Sequence, residues 1–219
     1  MQTENMYGTY FSNPLSDLIQ NENYSRSTQV YVNAFADIKL WKGLVFRTEY
    51  AANYNYNTGY RFTPSYDYEF FKQQSSASRS AGNGSNWTLK TYLTYNGTFG
   101  KHNVSVMAGH EAQENNWESL DGSRTNFLFN SVHELNAGDA TTAKANSSRG
   151  SSAIESYFGR LNYNFADRYL LTATLRADGS SSFAKESRWG WFPSVALAWK
   201  VNNEAFLKDV EAINSLNFA

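Results

Sequence analysis

Apolar and polar side chains alternate one by one along seven stretches of the chain. Val30, Val32, Ala34, Ala36, Ile38 and Leu40 share one parity, with Gln29, Asn33, Asp37 and Lys39 on the other. Leu44, Phe46, Tyr50, Ala52 and Tyr54 alternate with Arg47, Glu49, Asn53 and Asn55. Trp87, Leu89, Leu93, Tyr95 and Phe99 stand against Thr88, Lys90, Thr94 and Asn96; Val104, Val106 and Ala108 stand against Asn103, Ser105 and Glu111. Tyr157, Leu161, Tyr163 and Phe165 oppose Ser156, Arg160, Asn162 and Asn164. Tyr169, Leu171, Ala173 and Leu175 oppose Thr172, Thr174, Arg176 and Asp178. Trp191, Val195, Leu197, Trp199 and Val201 alternate with Ser194, Ala196, Ala198 and Lys200. A period of two sends successive side chains to opposite faces, so each run predicts a β-strand with one apolar and one polar face.

Length and connection pattern narrow the fold. Each run covers roughly 10–13 residues, where strands of soluble domains usually have about 5–6. At ~3.3 Å per residue and a tilt near 45°, such a strand crosses the apolar band of a bilayer. Short connections at Trp41-Lys42-Gly43, Gly100-Lys101-His102 and Ala166-Asp167-Arg168 alternate with long polar ones at 57–86, 115–152 and 179–188. Outer-membrane barrels carry short periplasmic turns and long extracellular loops in this way. The prediction is all-β: an antiparallel up-and-down transmembrane β-barrel segment, about seven or eight strands of a larger barrel. Trp41, Lys101 and Asp167 then lie on the periplasmic side.

Aromatic residues make up 16% of the chain, yet mean hydropathy is only -0.58, so the apolar character sits in amphipathic rings among Asn, Ser, Thr and Gly. Trp41, Phe99, Phe165, Tyr169 and Trp199 fall near the short turns; Tyr54, Tyr56, Trp87, Tyr157 and Trp191 fall near the long loops. Two such groups match the aromatic belts of a barrel. A net charge of -1 offers no basic surface for nucleic acid, and the absence of cysteine removes disulfides and thiolate metal sites. No stretch of about 18 apolar residues is present, which excludes a membrane helix and leaves strands as the means of crossing.

Within the long connections, Phe127–Leu135 has helical spacing, and Glu204–Val210 suggests a second short helix after the seventh run. The Ser/Gly/Asn-rich segments 73–85 and 140–152 predict mobile loops. No phosphate-binding glycine loop, nucleophile elbow, zinc-protease or calcium-loop pattern occurs. Glu49, Glu111, Glu155 and Asp178 are expected at the barrel lumen or its rim, with no fixed carboxylate pair for glycoside chemistry. His102, His110 and His133 are far apart and are expected to be solvated, not to bind metal. No catalytic, cofactor or metal residues are assigned, and the chain is not expected to be an enzyme. The loop aromatics Tyr60, Tyr66, Tyr68 and Trp117 are candidate substrate contacts, since such rings stack on sugars.

Residues 156–208 carry a denser signature: Ser156–Tyr163 (SYFGRLNY), Tyr169–Leu171, Arg176–Phe183 (RADGSSSF), Phe192-Pro193-Ser194, Trp199 and Asn203–Phe206. In this order they resemble the barrel of SusC/RagA-like TonB-dependent outer-membrane receptors. Leu89–Tyr95 with Gly109-His110-Glu111, Asn13-Pro14-Leu15 and Leu44–Arg47 extend the resemblance upstream. Ser182 and Ala184 depart from it, where the family often has Arg and Gly. The resemblance implies uptake of oligomeric nutrients (glycan or peptide) across the outer membrane of a Gram-negative bacterium. It also implies a SusD-like surface lipoprotein, surrounding outer-membrane lipids, and a TonB–ExbB–ExbD complex acting through a plug domain. The family has twenty-two strands. Residues 1–219 are accordingly expected to be a partial receptor barrel without plug or signal peptide, truncated where Ile213–Ala219 opens a further strand, and not transport-competent alone. The alternative is a soluble carbohydrate-binding β-sandwich or adhesin, whose core would be the apolar face. An eight-strand porin is disfavoured by the missing signal peptide.

Overall fold

The computed structural model describes residues 21–68, 71–204 and 217–218. Among the described residues ten strands follow in chain order: β1 (Glu22–Trp41), β2 (Leu44–Thr63), β3 (Tyr66–Tyr68), β4 (Phe71–Gln73), β5 (Ser76–Phe99), β6 (His102–Thr125), β7 (Lys144–Phe165), β8 (Tyr169–Ser180), β9 (Trp189–Lys200) and β10 (Asn217–Phe218). Eight form one sheet in the order β1-β2-β5-β6-β7-β8-β9-β10, while β3 and β4 make a separate small hairpin. Neighbours in the large sheet are therefore neighbours in sequence, apart from the β3–β4 excursion. That is an up-and-down antiparallel wall, as the alternation predicts.

Three tight turns make this possible. Gly43 has φ 80° and Gly100 φ 61°, the left-handed region where glycine avoids a Cβ clash. A Cβ on Gly43 would collide with the Asn96 carbonyl oxygen, while the Asn96 N–H donates to the Gly43 carbonyl at 2.8 Å. Ala166 and Asp167 close the third turn with φ 54° each. There the Asp167 carboxylate accepts from Lys200 at 2.7 Å and the Ala166 N–H donates to the Lys101 carbonyl at 2.7 Å, which offsets the strain of two non-glycine residues.

Registers preserve the two faces. Leu161 pairs with Ala173 and Tyr163 with Leu171 between β7 and β8. Ala173 in turn pairs with Val195, and Leu171 with Leu197, between β8 and β9. On the other parity Arg160 faces Thr174, which faces Ser194. The apolar side is open: Val195 is 69% exposed and Leu197 68%. Such a face needs an apolar solvent, and a sandwich core is not what it forms. No helix among the described residues is long and apolar enough to cross a membrane.

Contacts divide the chain into two units, one of Met1–Val30, Tyr54–Ser85 and Asn116–Gly150, the other of Tyr31–Asn53, Asn86–Asn115 and Ser151–Ala219. The first has a small core of Tyr60, Phe62, Ala77 and Phe127, with Leu135 packed against it. Phe62 meets the Phe127 ring edge-on at 5.5 Å and stacks on His133 at 4.0 Å.

Several local expectations are corrected. The strands are longer than predicted: β1 and β2 have 20 residues, β5 and β6 have 24, and β7 has 22. Segment 76–85 is the first part of β5, and 144–152 the first part of β7, so neither is a mobile loop. Ser, Gly and Asn have low strand propensity, but ladder hydrogen bonds to neighbouring strands overrule it. Phe127–Leu135 is not a helix; a single 3-10 turn covers Leu135–Ala137. Its backbone is engaged elsewhere. The Phe127 N–H donates to Ser75 Oγ at 2.8 Å, and the Asn130 amide joins Ser65 at its N–H, hydroxyl and carbonyl. Beyond Glu204, the helix suggested for Glu204–Val210 lies outside the described residues, as does Asn13–Leu15. Asn217 and Phe218 form a short strand paired with Lys200 and Trp199, and the rest of the expected strand opening at Ile213–Ala219 lies outside the described residues.

Candidate functional site

The polar face of the second unit carries a continuous relay of charges. Arg47 on β2 lies 3.5 Å from Asp37 on β1 and 2.5 Å from Glu49, with its guanidinium 4.7 Å from the centre of the Phe35 ring. Tyr92 on β5 donates its hydroxyl to Glu49 at 3.2 Å, and its ring lies 6.3 Å from Phe158 on β7. Arg176 on β8 pairs with Phe158 in register and stands 5.8 Å over its ring. From there Arg176 reaches Glu111 on β6 at 3.2 Å, Asp178 at 2.7 Å and the fully buried Ser156 hydroxyl at 3.0 Å. Lys90 on β5 completes the set, 3.0 Å from Glu111.

Alternation explains why these groups meet. All of them occupy the polar parity of their strands, and cross-strand neighbours on one face lie about 4.5–5.5 Å apart. Each pair is partly exposed, so none contributes much stability alone. Collectively they line this face with paired charges. Among the described residues no three metal-ligating side chains cluster.

At the short-turn end, Glu204 accepts from the Tyr169 hydroxyl at 2.8 Å, the Trp199 indole at 3.1 Å and Arg168 at 2.9 Å. The Tyr169 hydroxyl, then the Trp199 N–H, hold its carboxyl below the ordinary range. Lys200 and Asn164 do the same for Asp167.

Of the four candidate substrate aromatics, Tyr60 and Trp117 do not share a face. Tyr60 is on β2 and only 5% exposed, with Arg79 4.6 Å over its ring and Tyr24 5.2 Å away. Trp117 is on β6, not in a loop, and is 48% exposed. Its position has the polar parity of Asn103, Ser105 and Glu111, whereas Tyr60 has the apolar parity of β2. Beside Trp117, Ser119 meets Ser148 at 2.8 Å and Asp121 accepts from Asn146 at 3.1 Å. Tyr66 is half-buried on the β3–β4 hairpin, and Tyr68 ends β3 with its backbone paired to Phe71.

Histidines are partnered, contrary to the expectation of simple solvation. His102 meets the Tyr163 hydroxyl at 2.6 Å, His110 meets Glu155 at 3.1 Å, and His133 lies 3.2 Å from Glu22. The lumen or rim position expected for Glu155 is also corrected. Glu155 takes the Tyr157 hydroxyl at 2.8 Å and sits on the apolar parity of β7. Its odd number settles this, because a strand without a bulge keeps strict alternation.

The paired-charge face, the exposed apolar face and the tight turns define a barrel wall, and comparison with known families says which. The family described as TonB dependent receptor-like, beta-barrel, matches residues 3–208. The chain belongs to this family. TonB-dependent receptor P3 of Formosa agariphila is 33% identical over 96% of this chain and 22% of its own length. TonB-dependent receptor SusC of Bacteroides thetaiotaomicron is 37% identical over 60% of this chain and 13% of its own length. The chain thus spans about a fifth of the length of the Formosa relative. Among solved structures, the RagAB peptide transporter superposes with a TM-score of 0.84 at 21% identity, covering 92% of this chain and 23% of that one. That likeness places the fold of this receptor-family segment. The named relatives are receptors, not enzymes.

Proposed function

We propose that the chain forms a section of the wall of a longer TonB-dependent importer of oligomeric nutrients in the outer membrane of a Gram-negative bacterium. The observation that carries this reading is the division of the strands into an exposed apolar face and a face of paired charges. Lipid hydrocarbon accepts the first and a water-filled lumen the second; an arginine turned to the lipid at mid-depth would cost ~2–4 kcal/mol. An open section of wall leaves strand edges that hydrocarbon does not tolerate, so transport belongs to the longer receptor. In that receptor a plug domain couples to TonB–ExbB–ExbD, and a SusD-like lipoprotein delivers the substrate.

Substrate contact is assigned to the outer part of the polar face, around Trp117 and Tyr66. Trp117 is the better candidate, because its ring is half-exposed beside hydroxyl and amide groups. Tyr60 is covered by Arg79 and Tyr24, which suits a structural part; Tyr68 is kept as a backbone-placed candidate on β3.

Cells carrying the full-length receptor test the reading. Ala173→Arg, on the apolar face, should abolish the heat-modifiable folded form in outer-membrane fractions, whereas Thr174→Arg, on the polar face, should leave it. Equal loss or equal tolerance would overturn the two-face assignment. Growth on defined oligopeptides or oligosaccharides, with wild type against a receptor deletion and Trp117→Ala, then identifies the nutrient class.

A further inference from the structure

The charge relay belongs to the second unit; the polar face of the first is built differently. At the ends of β2, β5, β6 and β7 away from the short turns, glycines let neighbouring side chains lie low along the sheet. The Asn55 amide on β2 and Ser80 Oγ on β5 fill the space that a Cβ would take on Gly84 and Gly59, at 2.9 and 2.5 Å from its position. Ser119 on β6 packs beside Gly82, and its hydroxyl meets Ser148 on β7 at 2.8 Å. One step further out, Asp121 accepts from Asn146 at 3.1 Å. These contacts join the four strands on one face.

Trp117 shares that face. A Cβ on Gly150 would stand 2.6 Å from its Cζ2, 2.7 Å from Cε2 and 2.9 Å from Nε1, so the indole reaches across to β7 and lies along the wall. It is still 48% exposed, which leaves ring surface open to a ligand. Ser119 is two residues from Trp117 and Asp121 four, so their pairs stand roughly 7 and 13 Å along the strand from the ring. Of the side chains in these contacts, Asp121 alone is charged and Trp117 alone is aromatic; Arg61 and Lys144 share the parity nearer the strand ends.

A sugar ring has a C–H face, which suits the negative face of an indole, and a rim of hydroxyls that donate and accept, as serine hydroxyls and asparagine amides do. A peptide brings charged termini and apolar side chains, which are matched by fixed counter-charges and apolar pockets. One carboxylate and one ring among hydroxyls and amides fit the sugar better. We propose that this face binds a neutral oligosaccharide, one ring stacked on Trp117 and the next held by Ser119, Ser148, Asn146 and Asp121. The length of the row suits several linked sugars, not one. Gly150 is the positioning residue that lays the indole down. The inference names the substrate class of the importer and rests on that reading, because the polar face must line the lumen for this ligand to be cargo.

The receptor, purified from outer membranes in the complex in which it occurs, is titrated with three probe sets. These are neutral oligosaccharides from partial hydrolysis of starch, mannan, xylan and galactan, then oligogalacturonates, then a tryptic digest of casein. Wild type should bind a neutral oligosaccharide best. Trp117→Ala should weaken that binding about tenfold, the scale of an aromatic anchor, with part recovered in Trp117→Phe. Gly150→Ala, which keeps the indole but lifts it, should also weaken binding; the heat-modifiable form reports that each variant is folded. Best binding of the peptides or the oligogalacturonates would overturn the proposal. So would binding of none of the probes, or a neutral-sugar affinity unchanged in Trp117→Ala. If the sugar binds through Trp117 but cells lacking the receptor take it up as fast as wild type, the importer reading fails and the sugar-binding face stands.

Discussion

Arg176 and Glu111 meet at 3.2 Å although β7 lies between their strands. Arg176 spans the gap by leaning over Phe158 and past the Ser156 hydroxyl, so one guanidinium ties β6, β7 and β8 together on the polar face. Replacing it by Met should leave Glu111, 14% exposed, with Lys90 as its remaining cation. The expected cost is about 1 kcal/mol, discounted from a buried pair because Arg176 is 40% exposed. The urea midpoint of the reconstituted receptor checks this, and an unchanged midpoint would show the relay to be ornamental for stability.

Two glycines should respond differently to alanine. At Gly43 the added Cβ meets a backbone carbonyl oxygen and the residue must keep φ near 80°. Strain of roughly 1–2 kcal/mol from the left-handed backbone adds to the disturbed Asn96 bond, so Gly43→Ala should lower the folding yield clearly. At Gly150 the Cβ would approach the Trp117 indole at 2.6 Å, but that ring is half-exposed and can swing out. Gly150→Ala should therefore shift tryptophan emission to longer wavelength with a stability change within about 1 kcal/mol. Emission unchanged in Gly150→Ala would refute the close packing.

Phe62 is 1% exposed and packs against Phe127 and His133. Phe62→Ala removes the centre of a small core and should cost about 3–5 kcal/mol locally. Protease cleavage between 126 and 143, measured on intact cells, should rise sharply while the heat-modifiable form of the barrel persists. Cleavage at the wild-type rate would mean the connection is held by other contacts.

Acid should loosen the short-turn end. Asp167 and Glu204 have folded-state values below their unfolded ones, near 3.9 and 4.3. Their contribution is therefore complete above about pH 4.5 and disappears as pH falls through the lower folded values. Unfolding midpoints measured from pH 7 to pH 3 should drop at the acid end in wild type, and Asp167→Asn/Glu204→Gln should flatten that drop. A double variant as acid-sensitive as wild type would assign the effect to other carboxylates.

Much of this architecture is legible in the sequence. Period-two alternation sorts Leu161, Ala173 and Val195 from Arg160, Thr174 and Ser194, and the registers then put each set on one face. The tight turns at Gly43, Gly100 and Asp167 are legible too, because few residues tolerate a positive φ or close a two-residue turn. Strand length is not. Past the apolar stripe, residues such as Ser76–Ser85 look like loop by composition, yet ladder bonds extend β5 through them.

The chain's own sequence determined its class: alternation is a local property, written residue by residue, and it decides which face each side chain takes. Only the tertiary structure decided which strands lie side by side, and hence that Arg176 reaches Glu111, that Glu155 meets His110 and that His102 meets Tyr163. Those meetings depend on register between segments tens of residues apart. Hydrogen bonds between backbones set that register, and backbones look alike in any sequence.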